Sequence, residues 1–297
     1  MRPRRAADRR AGWLLLAPAL VVLGAVTVYP TLWVLWLSLQ RRLPVFDVAQ
    51  FVGTAHYQFL AGDARFLNAA RVTVEFTAGS VALELGLGLA AALALRAQRR
   101  GRRIALALLL LAWALPGVVT AKLFEWLYHP SAGLLNWGLG GRRLNWLGDP
   151  DLALGAVVLA DVWRTAPFVA LLCYARLGTI PGEVYEAARV DGAGRLATWS
   201  HITFPLLRRI LLVALLFRTL DALRAFDLMF VLTGGGPAGT TETLTVYAYR
   251  ILFQTLQLGF GSCSCSPPTR SRSSGSCSPR SSPTASCSCC PRSSPPG

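Results

Sequence analysis

Few side chains in this sequence can do chemistry, and most of them interrupt apolar runs where an ionised group is costly. Arg218, Asp221, Arg224 and Asp227 follow one another at intervals of three with alternating sign. On a helix each neighbouring pair can form an ion pair. Glu84, Asp161 and Arg164 also stand inside apolar runs, and charges at such depth face a protein interior or a water-filled path. Two readings of these seven residues stay open. They line a translocation path or an inter-subunit surface, or they form a charge-neutral structural ladder. Residues 180–207, IPGEVYEAARVDGAGRLATWSHITFPLL, offer a different chemistry, polar and punctuated by glycine. Glu186 supplies a carboxylate for charge-assisted bonds to a basic partner. Ala187 and Ala188 permit close approach, while Asp191, Gly192 and Gly194 favour a turn between two short helices, the second ending near Pro205.

Other chemistries find no support. His56, His129 and His201 are scattered, and Asp149 and Asp151 around Pro150 suit a solvated helix start. A phosphate-binding loop needs GxxxxGK followed by Ser or Thr. The single lysine, Lys122, lies between Ala121 and Leu123, so any nucleotide-driven work falls to another polypeptide. No metal or cofactor is expected in this chain.

The elements that position these residues are membrane spans. With 297 residues and 53% hydrophobic content, the chain is too apolar for an ordinary soluble domain. Several apolar runs reach the roughly 20 residues that a bilayer crossing requires. The expected fold is an all-α polytopic bundle, with a basic N-terminus at 1–12, a transmembrane domain at 13–261, and spans at 13–39, 72–95, 104–127, 152–177 and 210–232. Pro116-Gly117 breaks the third span, and interrupted helices of that kind border midplane sites in transporters. The net charge of +15 would suit nucleic acid in a soluble protein. Here the arginines gather between spans, where they signal orientation. Higher and lower counts alternate, which puts the N-terminus, the 96–103 loop and residues 180–207 in the cytoplasm.

From Ser262 to Gly297 only Ser, Cys, Pro, Thr, Arg, Gly and Ala occur, and six of the seven cysteines are there. Such an alphabet builds no core and no span. Leucine and alanine codons of GC-rich DNA, read one base late, give Cys, Ser, Pro and Arg, so the expectation is a frameshifted, disordered tail in place of a Leu/Ala-rich sixth span. Resequencing the locus checks this: the neighbouring frame should encode an apolar run of about 20 residues.

EAARVDG, residues 186–192, fits the EAA-x-x-x-G motif of the membrane subunits of binding-protein-dependent ABC importers. The whole 180–207 stretch resembles the sugar-importer branch of maltose and trehalose type. So do FDLMFVLTGGGP at 226–237, FVGTAHYQFL at 51–60 and Tyr29-Pro30. The resemblance covers about residues 13–261 and excludes the tail. It implies a non-catalytic permease of a bacterial inner membrane, with the EAA segment docking on a cytoplasmic ATPase. It also implies a second permease subunit, an extracytoplasmic solute-binding protein, and a mono- or disaccharide or polyol phosphate as substrate, within membrane lipid and without nucleic acid. A secondary transporter would instead need ion-coupling residues and repeated halves, and a membrane transferase a convergent acid/base or metal cluster. Neither pattern is visible.

Overall fold

The computed structural model describes residues 4–43, 48–98, 100–140 and 143–254. The low-complexity tail and the expected start of a sixth span near Leu256 lie outside them. Among the described residues four helical stretches are long and apolar enough to cross a bilayer, and a bent pair makes a fifth. The first is Trp13–Ser38, built from α1 (Arg4–Leu23), a π turn (Gly24–Val28) and α2 (Tyr29–Ser38). Tyr29-Pro30 is accommodated within this span without a break, because Pro30 stands in the first turn of α2, where a missing N–H costs little. A short antiparallel hairpin follows, β1 (Gln40–Leu43) with β2 (Val48–Phe51). It is the one departure from an all-α architecture among the described residues. The small helix α3 (Ala55–Gly62) then leads into α4 (Ala64–Ala97).

At 34 residues α4 is about 51 Å long and starts well before the expected Val72. Asp63 caps it, its carboxylate accepting the Arg65 N–H at 3.1 Å, so the helix extends past the hydrocarbon layer. The third span is α5 (Arg102–Ala114) and α6 (Gly117–Leu127), bent by 101° at Leu115-Pro116. The proline disfavours helical backbone at the residue before it, and Leu115 is extended. After the one-turn α7 (Leu134–Gly138), α8 (Pro150–Gly178) forms the fourth span. Asp149 caps it by accepting the Asp151 N–H at 3.0 Å, the solvated helix start expected of that pair.

The polar segment contains α9 (Gly182–Val190) and then a helix from Arg195 to Leu223 that is α10 (Arg195–Thr198), a π turn (Trp199–Thr203) and α11 (Phe204–Leu223). The expected end near Pro205 does not occur. In the π turn the Phe204 N–H bonds to the Trp199 carbonyl five residues back, and Pro205 falls in the first turn of α11, where its missing donor is again cheap. The expected continuous span over 210–232 is instead broken. α11 stops at Leu223, and α12 (Asp227–Leu232) is a separate short helix. A glycine-rich loop then leads to α13 (Leu244–Tyr249).

The packing centre is α4 against α8, with α11 across both. Phe76, Val81, Phe124, Val157 and Met229 fill one core, and Ala92, Val169, Cys173 and Leu207 another. Small residues let membrane helices approach closely, and Gly88 marks such a point between α4 and α8. A Cβ there would lie 2.6 Å from the Val169 Cβ and 3.0 Å from the Ala166 carbonyl oxygen. Gly88→Val should therefore destabilise the bundle by about 1–3 kcal/mol, seen as a lower Tm in detergent. An unchanged Tm would contradict this contact.

Candidate coupling segment and buried charge cluster

The fold gathers five of the seven charged candidates, drawn from three spans. The Arg218 guanidinium donates to both oxygens of Glu84, at 2.6 and 2.9 Å, and to Asp161 at 3.4 Å. Its remaining nitrogen donates to Asp221. Arg164 donates to the other oxygen of Asp161 at 3.0 Å, and the Thr165 hydroxyl donates to Glu84 at 2.7 Å. Glu84 is fully buried, and Asp161 and Arg218 nearly so. A carboxylate in such a place is tolerated only when paired and hydrogen-bonded. The planar guanidinium fork holds its donors in a fixed geometry that matches both oxygens of one carboxylate while reaching a second, whereas an ammonium head is a compact point charge.

The two remaining candidates depart from the expected ladder because α11 ends at Leu223, before both of them. Arg224 is exposed, and its Nε donates to the Leu220 carbonyl at 3.3 Å rather than to Asp221 or Asp227. Asp227 opens α12 and lies against the break in the third span: a Cβ on Gly117 would be 3.2 Å from the Asp227 Cβ. Both still line one small cleft with Asp161, Arg164, Arg218 and Asp221, of about 160 Å³. The Pro116-Gly117 break thus borders this cleft. Its volume admits about five waters at ~30 Å³ each, below the roughly 300–1,000 Å³ of ligand pockets. Arg164 contributes a buried Nε donor that has no partner among the described residues.

At the other candidate region α9 is positioned by its two ends. The Arg96 guanidinium at the end of α4 sits 4.4 Å from the Tyr185 ring centroid and donates to its hydroxyl at 2.9 Å, a cation–π contact with a hydrogen bond. At the far end the Ala193 N–H reaches the Ala188 carbonyl and the Gly192 N–H the Arg189 carbonyl. These paired bonds close a helix around a left-handed residue, and Gly192 has φ +74°. Glu186, Ala187, Asp191, Gly192 and Gly194 are all exposed. Glu186 finds no hydrogen bond or ion pair among the described residues. Ala188 departs from expectation: it is 5% exposed, so its small side chain serves packing inside the chain rather than contact with a partner. Val190 and Leu196, 87% and 78% exposed, flank the turn with apolar surface.

A second ion cluster escapes sequence reasoning. Glu242, 3% exposed, accepts both Arg65 nitrogens at 2.9 and 2.7 Å and Arg250 at 3.0 Å. It ties the glycine loop to the start of α4, helped by Asn68 donating to the Gly239 carbonyl at 3.0 Å and Tyr247 to Asp63 at 2.6 Å. The signal available was that Glu242 is the only acid between Leu228 and Gln254. Its partner Arg65 lies 177 positions away.

Residues 85–263 match the family model described as binding-protein-dependent transport system inner membrane component. The chain is 41% identical over 245 residues to the trehalose/maltose transport system permease protein MalF of Thermococcus litoralis, covering 82% of this chain and 83% of that protein. It is 38% identical over 263 residues to the sulfoquinovosyl glycerol transport system permease protein SmoG of Agrobacterium fabrum, covering 86% and 84%. Its fold resembles a chain of a bacterial ABC transporter involved in import of the acidic polysaccharide alginate, with TM-score 0.74, 22% identity, and 88% and 91% of the two chains covered.

Proposed function

The chain belongs to the family of binding-protein-dependent transport system inner membrane components, and from that premise we propose that it carries a sugar and is driven by a separate ATPase acting on α9 and the turn after it. It is a multi-pass, non-catalytic permease subunit of an importer. In our reading the full machine comprises this chain, a second permease, two cytoplasmic ATPase subunits and an extracytoplasmic binding protein that delivers the sugar. The arginine asymmetry supports a cytoplasmic N-terminus and a cytoplasmic α9.

One observation carries the coupling role. Glu186 is an exposed carboxylate without a partner among the described residues, on a helix fixed at both ends by the Arg96–Tyr185 contact and the Gly192 turn. A rigid handle with an unspent charge beside exposed Val190 and Leu196 suits docking on another chain. ATPases that bind the two states of the bundle with different affinity would shift it between outward- and inward-open forms. The charged cleft suits one wall of the pathway, and its small volume calls for a second permease to complete the site. The relatives' names, trehalose/maltose and sulfoquinovosyl glycerol, support a sugar of disaccharide or glycoside size.

Proteoliposomes holding the assembled subunits test the reading. Uptake of trehalose or maltose should require both ATP and the binding protein. Uptake by this chain with no ATPase present would favour a secondary transporter and overturn it.

A further inference from the structure

We propose that the cleft between the end of α4, α9 and the start of the Arg195–Leu223 helix binds the phosphodiester headgroup of an anionic membrane phospholipid. The cleft has a volume of about 790 Å³ and is lined by Arg96, Arg189 and Arg195 together with Tyr185 and Trp199. Glu186 is the one carboxylate among the lining residues, so the cleft carries a formal charge of +2. The side chains of Arg189 and Arg195 form no ion pair or hydrogen bond among the described residues. Arg96 is held in place by its stacking on Tyr185 and its bond to the Tyr185 hydroxyl, which leaves the rest of its guanidinium edge for another acceptor. Guanidinium groups match phosphate oxygens in pairs.

The position of the cleft selects a lipid as the source of that phosphate. It opens where two membrane-spanning helices end, Ala64–Ala97 and Arg195–Leu223. Tyr185 and Trp199 there are of the amphipathic aromatic type that populates the membrane interface. Leu93 and Ala193 add apolar wall beside which a glycerol backbone can lie. Basic pockets between span ends on the cytoplasmic side are where anionic headgroups collect. This inference uses the membrane placement and orientation given above but does not depend on the ATPase docking at Glu186.

Native mass spectrometry of the detergent-purified complex tests it, with phosphatidylglycerol, phosphatidylcholine and inorganic phosphate as probes. The expected result is retention of phosphatidylglycerol and not phosphatidylcholine. Retention should fall about tenfold or more in the Arg189→Gln/Arg195→Gln double variant and recover in the Arg189→Lys/Arg195→Lys pair, which keeps the charge. Equal retention in wild type and the Gln pair would overturn the proposal. Displacement of the lipid by inorganic phosphate would overturn it in favour of a free anion. Loss of the ATPase subunit from the Gln pair with lipid retention intact would overturn it in favour of an acidic protein surface. Failure of the coupling reading is seen separately, as ATPase association indifferent to Glu186→Arg.

Discussion

Arg218→Met is expected to destabilise the bundle by about 3–5 kcal/mol, because it strands buried Glu84 without its cation and leaves Asp161 with Arg164 alone. Thermal unfolding in detergent measures this, and a change below about 0.5 kcal/mol, the scale of an ordinary surface substitution, would contradict the network. Arg218→Lys should recover only part of the loss. One ammonium head replaces the charge as a compact point but lacks the fixed fork that matches both oxygens of Glu84 while reaching Asp161. The double variant Glu84→Gln/Arg218→Met should be more stable than Arg218→Met alone, since it removes the unpaired charge along with its partner. That variant also decides between the two readings of the cluster. If stability returns and uptake does not, the charges serve the pathway. If both return, they are a structural ladder.

Glu186→Arg is expected to leave the chain's own Tm unchanged, because the side chain is exposed and has no partner among the described residues. It should cut ATP-driven uptake by about tenfold or more, the effect of losing about 1.4 kcal/mol or more of association. Gly192→Val should produce the same loss of uptake by another route. At φ +74° a β-branched residue costs about 1–2 kcal/mol, enough to redirect the turn that fixes Val190 and Leu196. Co-purification with the ATPase, set beside Tm, separates loss of docking from loss of fold. An unaltered ATPase yield with either variant would count against docking at α9.

The spans were legible in the sequence because twenty apolar residues in a row leave few alternatives. The candidate coupling segment stands out in the sequence because a polar, glycine-broken stretch between spans is unusual. Pairing across spans was not legible. Glu84 and Arg218 stand 134 positions apart, and nothing local in either helix says that α4 and α11 bring them together. The three-residue spacing from Arg218 to Asp227 suggested a ladder, and only its first rung forms, because the helix ends at Leu223. Pro205 was read as a helix end, which the π turn before it avoids. Ala188 shows the limit of motif reasoning: beside Ala187 in one motif, it turns inward while Ala187 turns out. Glu242 gives no local signal, since its loop is polar and its role depends on Arg65, 177 positions away in the chain.

The central claim is that the ATPase grips the turn after α9, and a photo-crosslinking amino acid at Val190 tests it most directly. Benzoylphenylalanine at that exposed position should give a covalent product with the ATPase subunit on illumination of the assembled complex. The same group at Trp137, 81% exposed before the start of α8 and so at the opposite end of that span, should give none. A crosslink to the ATPase from Trp137 and none from Val190 would contradict the account.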